Sequence, residues 1–281
     1  MIERKMNVQK YKKNRNVSLT IGTVLLILMF SLVILEQIWL PFSPESTDMS
    51  QTCLKPSSIH WFGTDQLGRD LFSRIVSGTK YSLMIGFGGV GVAVLIGTVV
   101  GMAAGFYGGR ISTLLMRLMD ILLSVPSILL AITFVAAFGK GLINTILAVG
   151  IVAIPDYARL VRGTVLSIKE QDYVQAGRVI GCSDIRILLH YILPGVLPTL
   201  VVRCTLGVST AVLEGAALGF LGLGVQPPLA EWGDMLGKSK DYIFQAPHTL
   251  IFPGLALTIL IFAVNMLGDG LNERLNRNSS A

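Results

Sequence analysis

Six apolar runs divide the chain: about Leu19 to Leu40, Ser82 to Phe106, Ser112 to Phe138, Leu142 to Val161, Gly195 to Leu223 and Leu250 to Gly270. A bilayer core is crossed by roughly 20 helical residues, and each run reaches that length. In hydrocarbon every backbone N–H and C=O must be satisfied within the protein, and runs this long and rich in Leu, Ile and Ala are helices rather than barrel strands. The pattern predicts an all-α, polytopic membrane protein with six transmembrane helices. A polar tail over residues 1–16 precedes one membrane domain over 17–281. That domain carries a long loop at 41–80 on one side and a polar loop at 162–194 on the other.

The longest polar interruption between late apolar runs is Lys169 to Pro198, KEQDYVQAGRVIGCSDIRILLHYILPGVLP. Its spacing predicts a short amphipathic helix ending near Ile180, a break at Gly181, a second helix opening near Ser183 and a stop at Pro194. Glycine tolerates the left-handed conformation that closes a helix, and proline cannot continue one without losing a backbone bond. Such a stretch is either a plain surface connector or a contact for another protein.

Composition supports the membrane reading: 52% of residues are hydrophobic and 14% charged, against about 25% charged in a typical soluble domain. The net charge of +6 does not point to nucleic acid, because the basic residues lie between apolar spans instead of on one folded face. They report orientation. Arg4, Lys5, Lys10, Lys12, Lys13 and Arg15 in the tail fall on the same side as Arg110, Arg117, Arg159, Arg162, Lys169, Arg178, Arg186, Arg274 and Arg277. The other side holds Lys55, Arg69, Arg74, Lys80, Lys140, Lys238 and Lys240, mostly in long loops where the positive-inside rule is weakest. Both termini and the polar stretch are therefore expected in the cytoplasm. No small-residue cleavage site follows the first run, which is read as a retained span and not a signal peptide.

Little in the chain suggests catalysis. Cys53, Cys182 and Cys204, like His60, His190 and His248, lie far apart without metal-ligand spacing. Gly237, Lys238 and Ser239 invite comparison with a phosphate loop, but Trp232 stands where that motif needs glycine and no strand precedes it. Gly97, Gly101, Gly105 and Gly109 recur every fourth residue, and Gly215 with Gly219 repeats the spacing, which favours close helix packing over a moving gate. Arg117 and Asp120 suit a local ion pair, Asp70 and Arg74 are spaced to pair across one turn, and Arg203 can extend towards the cytoplasmic interface. Glu214 has no basic residue near it on its own helix. It either lines a route through the membrane or is a buried group, paired with a neighbouring helix or kept protonated.

Five motifs in order carry a resemblance: GTDQLGRDLFSR from Gly63 to Arg74, YARLVRG from Tyr157 to Gly163, DYVQAGRVIG followed by ILPGVLP, FLGLGVQPP from Phe220 to Pro228 with EWG, and NMLGDGLNE. From the first span almost to the end, the chain resembles the peptide/nickel-type permeases of binding-protein-dependent ABC importers, specifically their C-type subunit. The resemblance implies a type I importer permease fold and a transport component that is not an enzyme. It also implies an ATPase-coupling segment at Gln175, Ala176, Gly177, Gly181, Ile192, Leu193 and Pro194. The family's Glu-Ala-Ala reads Gln175, Ala176, Gly177 here, so an acidic contact is missing and glycine weakens the first helix by roughly 1 kcal/mol.

Expected partners are a second homologous permease, two ABC ATPase subunits that bind the ATP, an extracytoplasmic solute-binding protein and membrane lipid, with no nucleic acid and no cofactor in this chain. The outward motif at Gly63, Thr64, Asp65, Gly68, Arg69 and Asp70 would lie near the binding protein and the mouth of the pathway. Solutes implied by the resemblance are dipeptides, oligopeptides, nickel or other metal chelates, and the compact length and short tail lean to the nickel-type members. An ion-coupled secondary transporter would draw on Glu214, and a membrane-embedded enzyme lacks converging groups in the spans.

Overall fold

The computed structural model describes residues 2–278, with side chains described from 17 to 274, so the basic side chains of the tail and of Arg277 lie outside the described residues. Ten α-helices follow in order: α1 Ile2–Ile38, α2 Leu71–Tyr107, α3 Gly109–Leu123, α4 Ser127–Phe138, α5 Leu142–Ile168, α6 Asp172–Val179, α7 Asp184–Arg186, α8 Leu193–Phe220, α9 Trp232–Ser239 and α10 His248–Asn278. Among the described residues five helical segments are long and apolar enough to cross a membrane, and the bent pair α3 and α4 brings the number to six if it is counted as one broken span. The all-α expectation holds: the one β-type contact among the described residues is a bridge between Thr64 and Asp70.

Two expectations about these helices are corrected. The run from Ser112 to Phe138 is not one straight span, because α3 and α4 meet at 91°. Pro126 lacks an N–H and drives Val125 away from the helical region, and it sits in an extended conformation with ψ 133°. The Ser124 amide closes α3 on the carbonyls of Asp120 and Ile121. Nor does Pro194 stop a helix. Asp184 to Phe220 runs continuously, since a π-helical turn over Ile187–Ile192 precedes Pro194 and the Leu193 amide reaches back five residues to the Leu188 carbonyl. Widening the turn makes room for a ring that would otherwise strike the carbonyl four residues earlier.

The glycine strip packs as the sequence suggests, with one exception. A Cβ on Gly97 would lie 2.6 Å from the Tyr157 Cβ, one on Gly101 2.5 Å from the Ala158 carbonyl oxygen, and one on Gly105 2.7 Å from the Val165 Cβ. These residues let α2 and α5 approach backbone to backbone. Gly109 faces open space at φ +50° and belongs to the α2–α3 turn.

On the far side of the bundle from α6, the short helix α9 is wedged between α2 and α8. Trp232 is fully buried, and its indole N–H donates to the Ile75 carbonyl at 3.0 Å. Gly233 and Gly237 rest against the backbone of Ala216 and Phe220. Gly237, Lys238 and Ser239 are thus part of a packed helix, not a phosphate cradle. Glu231 caps α9 by accepting from the amides of Gly233 at 2.8 Å and Asp234 at 2.9 Å. Burial pushes its carboxyl up to about 7 despite those two bonds.

Two outcomes follow from this packing. Gly101→Val is expected to lower the stability of the detergent-solubilised protein by about 1–3 kcal/mol through overpacking, while Gly91→Ala, where a Cβ meets nothing within 4 Å, does not lower the melting midpoint and adds as much stability as helix propensity allows, up to about 1 kcal/mol. Because the folded Glu231 carboxyl titrates above its ordinary 4.5, its contribution is fully present below that pH and is lost as pH rises through about 7. The melting midpoint of the native chain should therefore fall relative to that of Glu231→Gln between pH 5 and pH 8; a constant gap would contradict the assignment.

Candidate functional site

Three polar features stand out from the apolar bundle: the connector between α5 and α8, a seam within the bundle, and a knot in the 41–80 loop. The connector is braced rather than loose. After Lys169 closes α5, Gln171 is extended and α6 begins at Asp172. Gly181 sits at φ +81°, its amide bonding the Arg178 carbonyl at 3.0 Å while the Cys182 amide reaches the Gly177 carbonyl at 3.0 Å. That paired arrangement is the glycine-dependent helix stop expected here. Inward, Val174 and Gly177 are buried, Gly177 lying against the Tyr191 ring, and the Gln175 side-chain Nε2 donates to the Lys169 carbonyl at 2.9 Å. Arg178 lies 5.3 Å over the Phe106 ring, and Lys169 donates to the Gly105 carbonyl at 3.2 Å. The connector is thereby tied to the end of α2 as well as to α5 and the π-helical turn.

The residues assigned to coupling divide into two sets. Gly177 and Ile192 are buried and Gln175 and Leu193 half-buried, whereas Ala176, Gly181 and Pro194 are exposed. Beside the exposed set are apolar side chains that the motif comparison passed over: Val179 is 87% exposed, Ile180 73% and Ile185 68%. Their signal was present in the sequence, as three large aliphatic residues bracketing Gly181 in an otherwise polar stretch.

The seam lies where α5 and α8 cross. Arg203, Gly207, Thr210 and Glu214 follow one another at helical spacing on a single face of α8, about 16 Å long at 1.5 Å per residue. Val149, Val152, Ala153, Asp156 and Tyr157 form the facing side of α5, and Ser127 comes in from the α3–α4 bend. Together they line a cavity of about 100 Å³. Arg203 pairs with Asp156 at 2.7 Å and lies 5.5 Å over the Tyr157 ring, so it turns to α5 and not to the membrane interface. Glu214 is half-buried and shares the cavity lining with Ser127. No cationic side chain among the described residues pairs with it. Asp156, Ser127 and Thr210 were not singled out in the sequence. Asp156 stands one residue before the YARLVRG motif, and its pairing depends on the register between two helices.

Asp120 likewise finds Arg159 on α5, at 2.6 Å, in place of the expected Arg117 on its own helix.

The outward motif is a buried knot. Gly63, Thr64, Asp65, Gly68, Arg69 and Asp70 are all buried. Asp65 accepts from the Leu67 and Arg69 amides at 2.8 and 3.0 Å and pairs with Arg69 at 2.7 Å and Arg74 at 3.4 Å. Asp70 caps α2 through the Ser73 amide at 2.8 Å and holds His60 at 2.9 Å. The expected Asp70–Arg74 pair is therefore replaced: Asp65 has the same spacing to Arg69, and the cap claims Asp70. Gly63 and Gly68, at φ +80° and +70°, allow the tight turns, and a Cβ on Gly68 would overlap the Asp48 carbonyl. The His248 ring meets the Thr64 carbonyl at 3.3 Å, and the Phe62 ring stacks on Phe252 at 4.1 Å, which seats the knot on the start of α10.

Comparison with known proteins places this geometry among transport components. Residues 93–280 match the family described as binding-protein-dependent transport system inner membrane component. The chain is 44% identical over 269 residues to the dipeptide transport system permease protein DppC of Alkalihalophilus pseudofirmus, covering 95% of this chain and 88% of that protein. It is 47% identical over 214 residues to the di/tripeptide transport system permease protein DppC of Pseudomonas aeruginosa, covering 76% and 71% of the two chains. With the glutathione transport system permease protein GsiD of Pectobacterium atrosepticum it shares 42% identity over 251 residues, 89% and 83% of the chains. A solved structure of the MetNI methionine ABC transporter in inward-facing conformations superposes with a TM-score of 0.59 at 23% identity, covering 72% of this chain and 96% of that one. That likeness shows the shared permease fold.

Proposed function

The chain belongs to the family of binding-protein-dependent transport system inner membrane components, as a multi-pass transport component and not an enzyme, and from that membership we propose that it forms one half of an ATP-driven import pathway for small peptides. The carrying observation is the connector: an exposed apolar tip braced onto the ends of α2, α5 and α8, the helices that also line the seam. A rigid tip of that kind converts movement of a docked partner into movement of the seam. Coupling requires that the tip contact the partner in both of its states, since only a differential interaction shifts an equilibrium.

The partner in this reading is a pair of ABC ATPase subunits that bind and hydrolyse ATP, with the tip seated in a cleft on one of them. Residues Val179, Ile180 and Ile185 supply the buried apolar contact, and Gln175, Gly177 and Ile192 hold the lever's shape. The chain itself carries no cofactor. The connector face is assigned to the cytoplasm together with both termini. On the opposite face Arg69 and Arg74 share Asp65, Lys80 pairs with Glu36 and Lys238 with Asp234, and the basic residues there lie mostly in long loops, where the positive-inside rule is weakest.

A second, homologous permease would complete the pathway. Its seat is the exposed stripe Ile111, Leu114, Leu118 and Ile121 on α3, beside the open side of the seam. An extracytoplasmic binding protein would deliver cargo to the face formed by the knot and α9. Peptides are favoured over nickel or other chelates because the relatives named above are, by their names, dipeptide, di/tripeptide and glutathione permeases.

The reading is tested at the tip. Ile180→Asp combined with Val179→Asp should leave the permease's melting midpoint unchanged, because both side chains are largely exposed. ATP-driven peptide uptake should fall by about tenfold or more and the ATPase should no longer co-purify, as expected when apolar anchors of an interface are lost. Gly181→Pro, which forbids φ +81°, should do the same. Undiminished uptake and assembly in these variants would exclude the connector as the coupling element.

A further inference from the structure

We propose that Glu214 is the counter-ion for the free ammonium group of cargo in transit, so that the permease itself, and not only its binding protein, selects amine-bearing cargo. The inference rests on the importer reading above and adds a chemical preference to it. A carboxylate within a membrane helix is costly unless it faces a cavity or a partner. Glu214 faces a cavity, and its neighbours leave its charge uncompensated. The one arginine of the seam, Arg203, is held by Asp156 at 2.7 Å, and the Ser127 hydroxyl is neutral. With Asp156 and Arg203 cancelling, an ionised Glu214 would leave the cavity lining with one negative charge. Such a site draws a cation.

Size limits what enters. About 100 Å³ is well below the roughly 300 Å³ at which whole small-molecule ligands are enclosed, but it admits an ammonium group and its nearest atoms. The remainder of the cargo would lie on the open side of the seam. The Thr210 hydroxyl, one turn from Glu214 on the same face of α8, bonds back to the Leu206 carbonyl at 3.5 Å and adds no charge. An α-ammonium docked at Glu214 would thus form a charge-assisted hydrogen bond with a half-buried carboxylate, a stronger bond than one between neutral groups. Selection follows from what an acylated cargo lacks: an N-acetyl peptide has no cation and leaves the carboxylate unmatched.

The test uses the complete importer in lipid vesicles with its ATPase subunits and with binding protein saturated by cargo, loading being measured separately for each peptide. Uptake per ATP hydrolysed is compared for a free dipeptide and its N-acetyl analogue in the native complex, Glu214→Gln and Glu214→Asp. The native complex should carry the free peptide at least about tenfold better than the acetylated one. Glu214→Gln should erase that ratio by slowing the free peptide alone, and Glu214→Asp should restore at least half of it. Equal slowing of both cargoes in Glu214→Gln would overturn the inference and make Glu214 a packing or subunit contact. An unchanged ratio would overturn it too. A native complex with no ATP-driven peptide uptake would instead bring down the importer reading on which it stands.

Discussion

Tyr157 lies between two glycines, and much of the bundle's geometry depends on that fit. On one side Gly97 of α2 leaves room for its Cβ, and on the other Gly207 of α8 leaves room for its hydroxyl, which donates to the Arg203 carbonyl at 3.3 Å. Three spans converge on a side chain only 1% exposed. Any Cβ at either glycine would push a helix outward, because neither contact ends on a flexible group. The same wedge sets the register that brings Asp156 to Arg203, and so keeps a charge pair at the crossing of α5 and α8. Packing in lipid gains little from hydrophobic exclusion, so close small-residue contacts of this kind hold the helices together.

From that crossing, two levers run in opposite directions. Towards one face, α5 and α8 end in the connector, which the Gly181 stop, the Tyr191 ring and the Phe106 ring hold in one shape. Towards the other, α8 ends against α9, where Trp232 reaches the Ile75 carbonyl of α2 and the capping Glu231 lies against Gly219 of α8. A displacement at the connector tip therefore has a packed route to the seam and on to the opposite loops. The buried knot around Asp65 gives α2 a fixed end rather than a flexible one.

Much of this was legible in the sequence. The six apolar runs, the break at Gly181, the packing role of Gly97, Gly101 and Gly105, and the isolation of Glu214 were all readable from local pattern. Misreadings share a cause: spacing along one helix says nothing about a neighbour's register. Asp120 pairs with Arg159 on α5 instead of Arg117, and Arg203 with Asp156 instead of the interface. Asp70 was given to Arg74 by a spacing that Asp65 and Arg69 satisfy equally well, and capping decided between them. Proline misled in both directions. Pro126 bends a span by 91° whereas Pro194 is absorbed by a π-helical turn, and the difference lies in what the surrounding backbone can widen to accept. The lean towards nickel from chain length finds no support in the names of the relatives, all of which concern peptides.

In the proposed importer, movement of the seam is driven from the connector by a partner's ATP hydrolysis, and not by an ion gradient acting on Glu214. Peptide uptake into vesicles holding the assembled complex measures this directly, with ATP, with a non-hydrolysable analogue, and with proton and sodium gradients collapsed. Uptake should require hydrolysable ATP and persist when the gradients are removed. Uptake that continues without ATP hydrolysis and stops when a gradient collapses would contradict that coupling.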